Sequence, residues 1–499
     1  MPLKKKRRTH RRISTGAYVL FFAIFTAVVC ISHAPFFDLP FFWDEVGQFV
    51  PAALDLYRSG AIVPRSVTPN AHPPGVMAYL AGVWTVTGFS IVSTRAAMLL
   101  LAATSVLLVF LLAIKLCGGV KGVPAFAVAG LLCCSPIFYA QAMLAQLDMP
   151  AMLFTILATL LFLEERVLLS SVACIALVLV KETGILVPLL LGFWLVVEKR
   201  VAQAGYFLAP LAALASWLLF LHYRTGHVFG SAEFTQYNLQ YLMHPMRIAV
   251  ALGRRLYNLF WENLQWIGTL GIVYACIRGG IFEGRRWKLA WTLVALHVAL
   301  FSMIGGAMLE RYLLPALAIV YIGMIAGLSA LPAPWRAFGT GALIVGAAVC
   351  NFWNPPYPFP LENNLAFTEF VKLQEIAAGF IEERYPGAEI TTAWPFSAAL
   401  SRPEFGYVKA SHRVHEIRDF TEETVAGLER DPVDVFVLYS RQWDPPGNLL
   451  RNVIVRKFWS RFFSFEPQIG SLDLDARLNL KTVAGWTHAG QWIEVHARQ

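Results

Sequence analysis

Phe41-Phe42-Trp43-Asp44-Glu45 follows the first long apolar run of the chain, about Ala17 to Ile31, and places two adjacent carboxylates beside a cluster of aromatic side chains. Trp and Phe in such a cluster mark the level where a bilayer meets water. Carboxylates at that level are costly to keep dry and well placed for chemistry, so the active site is expected here. Val46, Phe49, Val50, Ala53, Leu54 and Tyr57 then recur at the three- and four-residue spacing of an amphipathic helix lying on the membrane surface, which Gly60 ends.

The whole composition agrees with a polytopic membrane protein. Of 499 residues, 57% are hydrophobic and only 15% are charged, too apolar for a soluble chain and too long for one anchor. Lys4, Lys5, Lys6, Arg7, Arg8, Arg11 and Arg12 precede the first apolar run. By the positive-inside rule they hold the N-terminus in the cytoplasm. A cleaved signal peptide is disfavoured, because further apolar segments follow and no small-x-small site closes the first. The net charge of +9 thus reports topology; the cations lie scattered in short loops, which argues against nucleic acid as a partner. All seven cysteines fall in or beside apolar runs, with no disulfide framework or zinc spacing.

Taking about 17 to 25 residues per span gives about eleven transmembrane helices, at roughly 16–36, 94–116, 122–142, 149–163, 167–182, 184–198, 203–222, 256–277, 288–306, 312–331 and 336–353. Lys115, Lys121, Glu164-Glu165-Arg166, Glu198-Lys199-Arg200, Arg278, Arg285, Arg286, Lys288 and Arg336 then share the cytoplasmic side. The apolar stretch Val76 to Phe89, after His72-Pro73-Pro74-Gly75, is too short to cross comfortably and reads as a re-entrant or interfacial helix. From about residue 354 the composition turns to that of a soluble α/β domain after a proline-rich exit through Pro355, Pro356, Pro358 and Pro360. The division expected is a transmembrane domain, 1–353, and an extracytoplasmic domain, 354–499. In the latter a helix is expected at about 362–385, with strands near Glu389 to Trp394, Asp434 to Tyr439 and Gln491 to Ala497.

Asp44-Glu45 and Asp148 face the same outer side, from separate loops. Helix capping is the plainer alternative for each. Together they suit a general base or a divalent-metal clamp, with Asp44, Glu45 and Asp148 as hard oxygen ligands. His72, Arg95, Lys181-Glu182, Arg254-Arg255 and Arg311-Tyr312 also lie on this side, against the positive-inside trend. Singly they read as snorkelling residues; as a group they fit a phosphate or pyrophosphate head group. A secondary transporter of a small anionic solute is the competing reading, yet transporters concentrate charge at the midplane of repeated halves. An acyltransferase built on His297 is weaker, since a lone helix histidine is usually a packing residue.

Trp43-Asp44-Glu45 with Ala52 and Gly60, then His72-Pro73-Pro74-Gly75, Gly88 and Arg95, resembles the first-loop signature of the GT-C superfamily of membrane glycosyltransferases, in particular the protein mannosyltransferase and aminoarabinose transferase families. Glu310-Arg311-Tyr312-Leu313-Leu314-Pro315 is similar to an Arg-Tyr segment ending in Pro in the same families. The likeness runs through about residues 15 to 330. It implies an inverting transferase that moves a sugar from a polyprenyl-phosphate carrier to an acceptor hydroxyl on a glycan, lipid or protein, outside the cytoplasm, in a membrane of the bacterial inner (plasma) type. Asp44 would be the base with Glu45 beside it and Asp148 the second external-loop carboxylate. His72, Lys181 and Arg311 would neutralise the phosphate, with Arg95, Arg255 and Tyr312 as further donor-binding candidates.

Overall fold

A computed structural model describes residues 15–118, 123–241, 243–353, 356, 359, 361–429, 433–441 and 452–498. The basic leader before residue 15, Lys121, and the exit residues Pro355, Pro358 and Pro360 lie outside the described residues. The first two-thirds of the chain is helical and the last third carries a five-stranded sheet.

The helix Thr15–Ser32 is apolar almost all round and buries only Phe25 and Val29, so its surface is suited to lipid rather than water. Ile91–Cys117 is the longest helix, at 27 residues. It starts on a reciprocal cap, in which the Ser90 hydroxyl accepts from the Ser93 backbone N–H at 3.0 Å and the Ser93 hydroxyl from that of Ser90 at 3.1 Å. Leu314–Leu328 is buried along its whole length and forms the axis of the bundle. Close approach to it needs small residues: a Cβ on Gly327 would meet the Gly271 carbonyl carbon at 2.5 Å.

Helix length and composition do not confirm the expected count of eleven spans. Among the described residues four helices are long and apolar enough to cross a bilayer, Thr15–Ser32, Ile91–Cys117, Val201–Thr225 and Glu310–Leu328, and a fifth follows if Ala125–Cys134 and Pro136–Ala142 count as one span bent by 70°. Pro136 supplies that bend, since it has no N–H for the preceding turn. The expected segment 256–277 is two elements: Pro245–Phe260, amphipathic, and Trp266–Arg278. They are separated by a break in which Asn263 sits at φ 51°. Asp148–Leu163, Val167–Val180 and Glu182–Val197 are apolar but shorter than a full crossing. The chain is an integral membrane protein whose bundle mixes full-length and partial helices.

The loop between the first two long apolar helices folds as expected into two short helices, Val50–Ser59 and Gly75–Thr87. Gly60 closes the former at φ 68°. Gly75 is needed because a Cβ there would lie 2.4 Å from the Leu179 carbonyl oxygen, at the end of Val167–Val180.

The strands are β1 (Glu389–Ala393), β2 (Arg413–Ile417), β3 (Val435–Tyr439), β4 (Lys481–His488) and β5 (Gln491–Ala497), in the order β2-β1-β3-β5-β4. β2, β1 and β3 are parallel; β5 runs antiparallel to β3 and β4. β3 is buried at every position, the mark of a central strand covered on both faces. The helix Ala366–Arg384 covers one side. β2 and β4, whose alternation is interrupted by charge and glycine, were not legible in the sequence.

The sheet region docks on the loop between the first two long apolar helices. The Phe41 backbone donates to the Phe405 carbonyl at 3.1 Å and its own carbonyl accepts from the Tyr407 hydroxyl at 2.9 Å. Trp394, just beyond β1, lies 5.1 Å from the Trp43 ring and fills the space over Gly47. Glu165, Glu198, Arg200 and Arg285 meet at the other end of the bundle. Asp148 begins and Glu164 follows the same 16-residue helix, so the two ends are separated by about 24 Å.

Candidate active site

Trp43 adopts φ 48°, a left-handed conformation that an aromatic residue rarely takes. The two carboxylates that follow separate. Asp44 occupies the cap position of the next helical turn, yet its side chain makes no capping hydrogen bond. Its carboxylate instead accepts from the Arg311 guanidinium. Glu45 turns into the core.

Arg311 is the hub. It enters at the start of the axial helix and is 4% exposed. Besides Asp44, it bonds the Glu362 carboxylate at 2.5 Å and the Gln146 side-chain oxygen at 2.6 Å. Its Nε lies 3.1 Å from Asp148, an ion contact without hydrogen-bond alignment. Asp148 also receives the Lys181 ammonium at 2.5 Å. Lys181 ends Val167–Val180 and sits 4.2 Å from the centre of the Tyr312 ring, a cation–π contact that holds it in place. Three carboxylates therefore surround two cations in a largely dry setting, where charge is costly unless compensated.

Glu362, from the segment leading into the sheet region, accepts from Gln146 at 2.6 Å as well as from Arg311. Burial pushes its carboxyl above the ordinary range and the Arg311 charge opposes that. Nothing in the surrounding sequence marked Glu362: it lies beyond the last expected span, with no motif around it.

The cluster opens into a cavity of about 800 Å³ lined by Asp44, His72, Asp148, Lys181, Arg311 and Tyr312. His72 bonds Glu182 through Nδ1 at 2.8 Å, and Arg254 lies on the wall within 3.6 Å of Glu310. The sheet region contributes Trp394 and Arg441 to the same walls.

Three of the expected site residues are elsewhere. Glu45 and Arg95 form a fully buried pair at 2.5 Å outside the cavity lining. Glu45 also accepts from the backbone of Phe42 at 2.9 Å and of Ala145 at 2.6 Å. Arg95 donates to the carbonyls of Met143, Leu39 and Pro40 at 2.9, 3.1 and 3.1 Å. The pair thus ties the loop after the first apolar helix to the loop before Asp148. Arg255 is fully buried behind Tyr312, where it donates to the carbonyls of Met308 and Leu309. The proposed metal set Asp44, Glu45 and Asp148 does not converge, because Glu45 faces Arg95; among the described residues no group of three metal-ligating side chains forms. His297 bonds the Tyr312 carbonyl at 2.7 Å, a packing role.

No protein-family model matches the chain, and no curated protein matches it in sequence. Solved structures match in fold. ArnT from Cupriavidus metallidurans bound to undecaprenyl phosphate is similar with a TM-score of 0.53 and 14% identity, over 97% of this chain and 98% of that one. The same enzyme in its apo state gives 0.53 and 13%, over 96% and 98%. Arabinofuranosyltransferase AftD from mycobacteria gives 0.46 and 13%, over 97% of this chain and 40% of that one. Over nearly its whole length, this chain has a fold similar to that of ArnT.

Proposed function

We propose that the chain is a membrane glycosyltransferase of GT-C type that takes a sugar from a polyprenyl-phosphate carrier and transfers it, with inversion, to an acceptor hydroxyl outside the cytoplasm. The observation that carries this reading is the convergence of Asp44, Asp148, Arg311 and Lys181, from four separate parts of the chain, on one cavity at one end of an apolar bundle. The ArnT fold, found there with undecaprenyl phosphate, supports a lipid-phosphate donor.

Asp44 is the base. It accepts the acceptor proton as the new bond from acceptor oxygen to the anomeric carbon forms and the bond from that carbon to phosphate oxygen breaks. Lys181, Arg311 and His72 stand where the departing phosphate gathers charge. Arg311 holds Asp44; a donor phosphate in the cavity would compete for the guanidinium and leave the carboxylate to take a proton. Asp148 holds Lys181 and Arg311 in register, and Glu362 does the same from the other side.

The division of labour follows the expected boundary: residues 1–353 hold the lipid carrier and residues 354–499 cover the cavity from the extracytoplasmic side. The N-terminus is cytoplasmic, in a membrane of the bacterial inner type. A transporter would need its charges near the middle of the bilayer, whereas these lie at helix ends.

The test is transfer of radiolabelled sugar from a polyprenyl-phosphate donor by purified protein. Asp44→Asn should lower the rate by roughly 10²- to 10⁴-fold while the protein stays folded, as checked by a cooperative thermal transition. Turnover equal to wild type would remove Asp44 from the role of base.

A further inference from the structure

The helix Val453–Phe463 has no buried residue, although most of it is apolar. Ile454, Val455, Phe458 and Phe462 recur at three- and four-residue spacing on one face, while Arg456, Lys457, Ser460 and Arg461 share the other. Ile454 is 78% and Val453 53% exposed, and the rings of Phe458 and Phe462, partly buried, lie 5.0 Å apart. The helix contains no acid, and among the described residues none of its three cations reaches a carboxylate within ion-pair distance.

Its neighbour explains the position. Arg247, in the helix Pro245–Phe260, donates to the Phe462 carbonyl, and the His244 ring lies 5.2 Å from that of Phe462. Pro245–Phe260 is itself amphipathic, with Met246, Leu252, Leu256 and Tyr257 exposed. It ends at Trp261, 61% exposed, just before the apolar helix Trp266–Arg278. Apolar surface therefore continues from a bundle helix, along an interfacial helix, onto a helix of the sheet region.

We propose that Val453–Phe463 is an interfacial anchor, with its apolar face at the acyl-chain boundary of the same bilayer and Arg456, Lys457 and Arg461 seated on the phosphates of anionic lipids. An amphipathic helix with aromatic residues on one face and cations, with no acid, on the other has the chemistry of that interface. Water alone would leave this apolar patch uncovered. The anchor fixes the sheet region, which brings Trp394 and Arg441 to the cavity wall, at a set height above the bilayer. This inference does not depend on the reaction proposed above.

The test uses the full chain in nanodiscs of phosphatidylcholine, with or without phosphatidylglycerol, carrying a photo-crosslinking residue at position 454. Crosslinks to phospholipid, enriched for phosphatidylglycerol, are expected. Crosslinks confined to protein, whether within the chain or to a second copy, overturn the anchor. In the same background the combined change Arg456→Glu, Lys457→Glu and Arg461→Glu alters only exposed side chains, so folding, checked by thermal unfolding, is retained. The preference for phosphatidylglycerol should fall by roughly fivefold for each cation removed. An undiminished preference would sink the assignment of these cations to anionic lipid.

Discussion

Arg285 and Arg311 each bridge carboxylates from separate elements, at opposite ends of the same bundle. Arg285 joins Glu165 and Glu198 with 40% of its side chain exposed; Arg311 joins Asp44, Asp148 and Glu362 with 4% exposed. Water screens the first network and solvates whatever it leaves unpaired, so its net contribution is small. The second has surrendered most of its hydration, and each partner is held because losing it would strand a buried charge. Identical residue types thus tether loops at one rim and build a poised site at the other. Solvent access makes the difference.

The sharpest way to break this comparison is Arg311→Ala. It should abolish sugar transfer and destabilise the protein by about 3–5 kcal/mol, because three carboxylates lose their shared cation. Thermal and denaturant unfolding in detergent, beside the transfer assay, would read both effects. A stable Arg311→Ala protein would mean that the cluster is wetter than its burial implies.

Arg95→Ala should cost a similar ~3–5 kcal/mol by stranding Glu45. Since this pair lies outside the cavity, the protein that remains folded should keep its affinity for donor. A change in donor KM without loss of stability would instead put Glu45 and Arg95 back in the site.

A smaller effect is expected in the sheet region at Asp419. Burial acts to raise its carboxyl pKa, but hydrogen bonds from Thr421 and Thr424, each at 2.6 Å from the hydroxyl, outweigh it and hold the group well below the usual carboxylate range. With the folded value depressed, the stabilisation is present above the unfolded value of about 4 and is lost as pH falls through the acid range. Asp419→Asn should therefore lower the thermal midpoint at neutral pH and flatten its decline on acidification. Parallel pH profiles for variant and wild type would contradict this. Least of all, Arg285→Ala should shift stability by about 1 kcal/mol or less and leave transfer intact. A large loss there would erase the contrast between the two rims.

Much of the fold was legible in residue order. Hydropathy marked the apolar helices, the short stretch after His72-Pro73-Pro74-Gly75 was recognised as too brief to cross, and strands were expected where β1, β3 and β5 lie. Where helices break was not legible. Hydropathy sums over a window and does not register a backbone break such as the one at Asn263 or the 70° bend before Pro136. In the site, Asp44, His72, Asp148, Lys181, Arg311 and Tyr312 were singled out as polar residues at helix ends, and the cavity brings them together. Glu45 and Arg95 carried the same signature and were sent elsewhere.

Charge and hydropathy along the chain determined that this protein lives in a membrane and that its ionisable residues collect at helix ends, because the cost of burying a charge in lipid acts on each residue alone. Only the tertiary structure decided which of those residues share a cavity. Asp44 and Glu45 are chemically near-equal neighbours, and their fates diverge with the direction each side chain takes after the left-handed turn at Trp43. Glu362 joins Arg311 from 51 positions away, a pairing fixed by how the sheet region packs and by no local pattern.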